Sequence, residues 1–352
     1  MIITLDAMGG DTAPQSTVYG AVWAARDFGI AIQLVGKPNR IATELAKHDT
    51  QGLDLQIIPA SEVIEMEDSP AESVRSKKDA SVNVGVRQVK TGKSHAFVSA
   101  GNSGGTFVAS LFGLGRIKGI KRPALTTAYP TRSAHRICFL IDVGANADVK
   151  PEYLVQFGLM GSLYTEKVLG IPNPRVGLVS NGEEKDKGSK IIKEAYKLMN
   201  LAPFNFIGNI EGKDIPAGLA DVIVTDGFTG NVIVKLSEGL PKGIMETIAD
   251  DFKTPTTLIV GGALITTTVV AMYRTKIFGL TALLSGLLTW RKINEIKKRF
   301  DYREFGGGAL LGVDGVVIVT HGRADAYTIR NAIRAAKQAV ENDIVNTIKE
   351  YL

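Results

Sequence analysis

Cys138 is the only cysteine in the 352 residues. No disulfide can close within the chain, and a reducing cytoplasmic setting is expected. Aromatic residues make up 7%, and the four histidines are scattered. Neither HExxH nor CxxC occurs, so no metal site is expected. No GxGxxG opens a helix after a strand-like run, which leaves a nicotinamide cofactor without a cradle. "TGKS", Thr91–Ser94, resembles a P-loop, but Arg87 stands where that motif needs glycine. The start of the chain has no basic segment leading into a long apolar run, so no secretory leader is expected. No internal repeat or low-complexity tract interrupts the sequence. The net charge of +5 mildly favours acidic partners, such as an acidic protein, a phosphate or an anionic membrane surface. It is too small to argue for nucleic acid.

Glycine is abundant instead, with 38 residues. That exceeds the usual ~7% share and implies many tight loops. Hydrophobic residues at 45% and charged residues at 22% suit a globular enzyme. Short apolar runs at 1–5, 32–35, 55–59, 95–99, 136–143, 176–180, 205–207, 221–225 and 315–320 read as strands. Helical periodicity fills 14–28, 39–47, 81–91, 106–114, 151–170, 187–199 and 324–351. Alternation of this kind predicts a three-layer α/β/α fold with a mostly parallel sheet, and one domain over 1–352.

One region departs from the pattern. An apolar and basic helical insertion is expected at 252–299. It contains 256–273 and 277–290, both uncharged, and then Arg291, Lys292, Lys297, Lys298 and Arg299. Two readings stay open: a helical pair buried in the core or at a dimer interface, or a helical tip on a membrane surface. A true membrane span fits least, because the runs are short and rich in glycine and threonine.

Chemistry concentrates in the loops after the strands, where ligands bind in such folds. "GNSGG", Gly101–Gly105, lies between a strand and a helix and matches GxSxG. Ser103 can therefore be read as a nucleophile with His321 as its base, or the loop as an anion cradle. "IDVGAN", "SNGEEKDKG", "TDGFTGN", "EFGGGALLG" and "THGRADA" combine glycine with polar residues in the same way. They are expected to converge at one sheet edge around a phosphate-like anion. Lys187, Arg323 and Lys235 are the candidate cations. Cys138 lies in an apolar strand pattern and reads as a buried, inert thiol.

Seven segments taken in order resemble the bacterial phosphate acyltransferase (PlsX) family. They are "TLDAMGGD", "SAGNSGG", "IDVGAN", "GEEKDKG", "DGFTGN", "DYREFGGGALLG" and "HGRADA", within about residues 2 to 336. Phe305 stands where the family usually has tyrosine. The resemblance implies a fold like those of isocitrate and isopropylmalate dehydrogenases and of phosphotransacetylases. It implies transfer of a fatty acyl group from acyl carrier protein to inorganic phosphate, giving acyl phosphate for phospholipid synthesis. It also implies a homodimer without metal or other cofactor, and a hand-off to a glycerol-3-phosphate acyltransferase, aided by contact with the membrane.

On this reading phosphate is the nucleophile and no acyl-enzyme forms. Lys187, His321, Asn231 and Asp226 are the expected catalytic residues. Gly9, Gly10, Asp11, Gly101, Asn102, Ser103, Gly104, Gly105, Asn146, Gly188 and Gly230 are expected to bind substrate. Asp6 and Asp11 are expected to hold loops, and Asp11 or Thr12 to cap the helix that Pro14 begins. The competing functions are a serine thioesterase built on Ser103 and a non-catalytic acyl-binding scaffold at the membrane surface.

Overall fold

A computed structural model describes residues 1–252 and 302–352. Eleven strands form one sheet: β1 (Ile2–Asp6), β2 (Ala31–Gly36), β3 (Leu55–Pro59), β4 (Ala96–Ser99), β5 (Ala124–Pro130), β6 (Ile137–Ile141), β7 (Val176–Val179), β8 (Phe206–Ile210), β9 (Val222–Val224), β10 (Gly308–Leu311) and β11 (Val316–Val319). Their order is β3-β2-β1-β4-β11-β10-β5-β6-β9-β7-β8. Helices follow most of the strands. The expected α/β class with a mostly parallel sheet is the observed one.

The strands form where apolar runs can be buried on both sides. Along β4, Ala96 and Val98 face one core cluster while Phe97 faces the other. Along β11, Val316 and Ile318 join the first cluster, and Val317 and Val319 the second. Helix Gln15–Phe28 buries Val18, Ala21, Val22 and Ala25 at helical spacing and stops at Gly29, whose φ is 60°. It packs against helix Ala326–Glu341. Helix Ser81–Lys90 packs against β4 and helix Ser103–Gly113 against β11 on the side of the other cluster, with helix Pro70–Ser76 against Ser103–Gly113.

Two strands, β5 and β10, do not stand out in the sequence. β10 is four residues between the positive-φ glycines Gly307 and Gly312. β5 is rich in threonine and only partly buried. These two decide the topology. β10 runs antiparallel to both β11 and β5, and β5 runs antiparallel to β6. The set β3-β2-β1-β4-β11 therefore points one way and the set β6-β9-β7-β8 the other. Register brings their carboxyl ends together. Val319 lies opposite Gly308, and Ile141 lies opposite Thr126, one residue beyond the Leu125–Leu310 pair. The loops thus do not share one edge of a single parallel sheet. They leave the two halves of the sheet in opposite directions, on either side of the two central strands.

Helix starts are set by caps. Ser189 accepts from the Ile192 N–H, so the helix expected from 187 begins at Lys190 and Lys187 stays in the preceding loop. Asp325 caps the helix that begins at Ala326. Neither Asp11 nor Thr12 caps the first helix. Pro14 takes the cap position, and Thr12 bonds to Ser16 instead.

The chain divides into two compact units, Met1–Asn231 with Tyr302–Leu352, and Val232–Asp301. The helix Gly227–Phe252 runs from the first into the second. In the second, Leu236, Leu240 and Ile244 recur every fourth residue, each more than half exposed. The basic and uncharged runs between 256 and 299 lie outside the described residues. Among the described residues no helix is long and apolar enough to cross a membrane.

An ion pair between the half-exposed Arg175 and the buried Asp221 joins the starts of β7 and β9. The Arg175 guanidinium holds both oxygens of Asp221 at 2.9 Å, and the Arg175 N–H donates to Asp221 Oδ2 at 2.9 Å. Burial alone would raise the Asp221 carboxyl, but these donors outweigh it and hold the group below 3.8. A depressed carboxyl contributes stability above its unfolded pKa and loses it as pH falls through the folded value. Asp221→Asn should therefore be about 1–2 kcal/mol less stable at pH 7. Its melting temperature should also fall less than that of the unsubstituted protein between about pH 5 and pH 3. Parallel acid limbs in the two proteins would contradict this.

Candidate active site

The first group of site loops is built around Asp6 at the end of β1. Asp6 is buried; its Oδ1 accepts from the Met8 N–H at 3.1 Å and its Oδ2 from the Ser99 hydroxyl at 3.0 Å. Burial pushes its carboxyl up, while hydrogen bonds from Ser81, Met8, Ser99 and Gly9 pull it down. Gly9 lets the loops touch: a Cβ there would stand 2.6 Å from the Gly101 nitrogen and 2.7 Å from Asp6 Oδ2. The N–H of Asp11 donates to the Gly322 carbonyl at 2.8 Å, and Gly10 lies against Ala100 and Gly322. Gly9, Gly10, Asp11, Gly101 and the turn after His321 are thus one assembly. The Asp6 carboxylate holds loops here, whereas Asp11 does so through its backbone N–H.

Asn102 is committed to structure. Its Oδ1 accepts from the Gly105 N–H at 2.9 Å and caps helix Ser103–Gly113. Its Nδ2 donates to the carbonyls of Glu65, Met66 and Asp68 at 3.1 to 3.2 Å. The amide therefore places the 65–68 turn beside the site and has no donor left over. Ser103 and Gly104 occupy the first helical turn, where N–H groups lack an intrahelical acceptor and the helix dipole is positive. Gly105 packs against Ile64. Ser103 is exposed, and no hydrogen bond joins it to a base among the described residues.

His321 accepts the N–H of Arg323 on Nδ1 at 3.1 Å. In the neutral ring the proton is then on Nε2, so that edge of the imidazole is a donor.

The second group is built around Asp142, the residue after β6. Asp142 is fully buried and accepts five hydrogen bonds. The N–H groups of Leu125, Gly144 and Ala145 point to Oδ1 at 3.0, 3.2 and 3.0 Å. The N–H and side-chain amide of Asn146 point to Oδ2 at 2.7 and 2.8 Å. Burial pushes this carboxyl up against the pull of those donors. Asn146 also donates to the Pro123 carbonyl, so its side chain is spent within the protein.

"DGFTGN" is not a loop throughout: the helix begins at Gly227, and Gly230 and Asn231 lie in its first turns. Asp226 receives the N–H and hydroxyl of Thr229, both at 2.8 Å, which makes it a helix cap. Gly230 meets the Asp142 carbonyl so closely that a Cβ would stand 1.9 Å from it. Asn231 donates to the Val143 carbonyl at a long 3.4 Å.

Lys187 and Gly188 lie on the loop after β7, and among the described residues no hydrogen bond or ion pair joins them to either hub. Lys187 is exposed and paired with no carboxylate among the described residues. Gly188, with φ 91°, turns the chain into Ser189. Lys235 belongs to the second unit. Cys138 is buried in β6, and burial pushes its thiol far up, as expected of an inert residue. Among the described residues one acidic trio, Glu183, Glu211 and Asp214, is close enough to share a cation. Lys213 Nζ already stands 2.5 Å from Glu211 and 3.4 Å from Glu183.

The first-turn N–H groups of helix Ser103–Gly113 are thus offered to an anion. A model of the family described as "Fatty acid synthesis protein" matches residues 1–268 and 262–347. A phosphate acyltransferase of Herpetosiphon aurantiacus is 46% identical over 361 residues, covering 100% of this chain and 98% of that protein. The chain belongs to the phosphate acyltransferase family. It is an acyltransferase. The fold is shared more widely than the family. A phosphotransacetylase from Streptococcus pyogenes superposes with a TM-score of 0.62 at 17% identity, covering 97% of this chain and 94% of that one. A 4-hydroxythreonine-4-phosphate dehydrogenase from Klebsiella pneumoniae does so at 0.50 and 10% identity, covering 97% and 98%.

The family motifs "TLDAMGGD" and "IDVGAN" carry the two hubs. Asp142 escapes the sequence reading, although an aspartate directly after an apolar strand and shortly before glycine marks both Asp6 and Asp142. The Glu65–Asp68 turn carries no such signal, because only Asn102 brings it to the site. Asp142→Asn would turn an NH2 toward two or three donors. It should cost about 3 kcal/mol and lower the melting temperature by roughly 5 °C. An unchanged melt would remove Asp142 as a hub.

Proposed function

We propose that this acyltransferase moves a fatty acyl group from the thioester of acyl carrier protein to inorganic phosphate. One phosphate oxygen attacks the thioester carbonyl carbon, a C–O bond forms, and the carbonyl oxygen becomes an oxyanion. The oxyanion collapses, the C–S bond breaks, and acyl phosphate and the carrier thiol leave. Phosphate is itself the nucleophile, so the protein has to position and stabilise rather than attack. The observation that carries this reading is the 46% identity, over the whole chain, to a phosphate acyltransferase. Two features support it: Ser103 has no base bonded to it among the described residues, and the first-turn N–H groups of helix Ser103–Gly113 lack an intrahelical acceptor.

Each group has a role on this reading. The first-turn N–H groups of Ser103 and Gly104 receive phosphate or the oxyanion. Lys187 neutralises phosphate charge. His321 hydrogen-bonds phosphate or protonates the departing thiolate. Gly9, Gly10, Gly101, Gly105, Gly188 and Gly230 keep backbone close to ligand. Holding phosphate against the thioester contributes up to roughly 7–11 kcal/mol in favourable intramolecular models. The product feeds phosphatidic acid synthesis through a glycerol-3-phosphate acyltransferase. The protein works in the cytoplasm as a homodimer with peripheral contact to the membrane.

The test is thiol release from acyl carrier protein with and without phosphate, with acyl phosphate trapped by hydroxylamine. Release at the same rate without phosphate would refute the proposal and favour hydrolysis. Lys187→Ala should lower kcat/KM for phosphate by about 100-fold, with the melting temperature preserved, since the side chain is exposed. A thiol reagent suits this assay, because the buried Cys138 should not react in the folded protein.

A further inference from the structure

Among β5, β6 and the helix Ala326–Glu341 lies a cavity of about 240 Å³ that no step above uses. Phe139 and Tyr164 form its buried end, with their rings stacked 4.6 Å apart and 12° from coplanar. Phe305 and Leu169, both half-buried, continue the apolar lining. Arg334 and Gln338, spaced four residues apart on one helix face, add its polar side.

Two features connect this cavity to the site. Gly307 lines it, and a Cβ on Gly307 would stand 2.5 Å from the Val319 carbonyl and 3.1 Å from Thr320 Cβ. The cavity therefore abuts the strand end that leads to His321. The turn that presents Phe305 is also pinned from the helix side. Asn331 Nδ2 donates to the Arg303 carbonyl at 2.8 Å, the Tyr327 hydroxyl to Glu304 Oε2 at 2.8 Å, and Arg334 to the Glu304 carbonyl. An aromatic wall held this firmly keeps its shape when a ligand enters.

Three aromatic rings and a leucine dominate the lining, so hydrocarbon gains by leaving water there. The volume is below the roughly 300–1,000 Å³ of pockets that enclose whole drug-sized ligands. Part of a flexible chain fits better than a complete compact ligand.

We propose that this cavity receives the methyl-terminal part of the fatty acyl chain, and that Phe305 and Ala335 set the length accepted. The proposal rests on the acyl-transfer reading and deepens it. The full-length protein is given octanoyl and palmitoyl thioesters of acyl carrier protein, and the ratio of the two kcat/KM values is measured. Ala335→Phe fills the cavity and should lower the palmitoyl-to-octanoyl ratio by about ten-fold. Phe305→Ala enlarges it and should raise that ratio. Ratios within about two-fold of the unsubstituted protein in both variants would overturn the proposal. If the unsubstituted protein releases no thiol in response to phosphate from either thioester, the acyl-transfer reading itself falls. Fluorescence of bound cis-parinaric acid then decides the cavity alone. Palmitate-displaceable binding that Ala335→Phe abolishes supports it, and equal binding in both proteins overturns it.

Discussion

A carboxylate buried at the end of an apolar strand has to be surrounded by donors, and this fold meets that requirement twice. Desolvation penalises the charge heavily unless nearby N–H and O–H groups replace the lost water. At Asp6 the replacement comes from Met8, Gly9, Ser81 and Ser99. At Asp142 it comes from Leu125 and the 144–146 turn. Each aspartate thus folds the loop that follows it and fastens that loop to a neighbouring strand. The acids at these strand ends organise the site and are themselves fully engaged within the protein.

The glycines at the hubs belong to the same arrangement. Gly9 admits the backbone of Gly101, and Gly230 admits the carbonyl of Asp142. Side chains at either point would push apart the loops that the aspartates draw together. Once those contacts close, much of the polar equipment near the site is consumed internally. Asn102, Asn146 and Asp226 all spend their side chains on caps or loop carbonyls. That leaves the first-turn N–H groups and the exposed Lys187 as groups suited to a ligand.

Nine of the eleven strands are legible because apolar runs of β-branched residues have few other places to go. β5 and β10 escape because they are short or threonine-rich and owe their pairing to each other and to their neighbours. The helix starting at Gly227 escapes because two glycines and a threonine in its first turn read as a loop, while Asp226 caps it. The glycine-rich loops are likewise visible in the sequence. Their division into two hubs is not, because it follows from the reversal of direction at β10 and β5.

The sequence by itself determined the α/β class, the family and the loops that carry polar chemistry. These depend on local periodicity and on short motifs, which need no knowledge of distant contacts. Only the tertiary structure decided which of those residues remain available to a ligand. A side chain's hydrogen-bonding capacity is finite, and whether a distant loop claims it is a matter of spatial packing. Asn102 shows this most directly. Its type and place suggest a phosphate ligand, yet the carbonyls of Glu65, Met66 and Asp68, more than thirty residues earlier, take its amide donor.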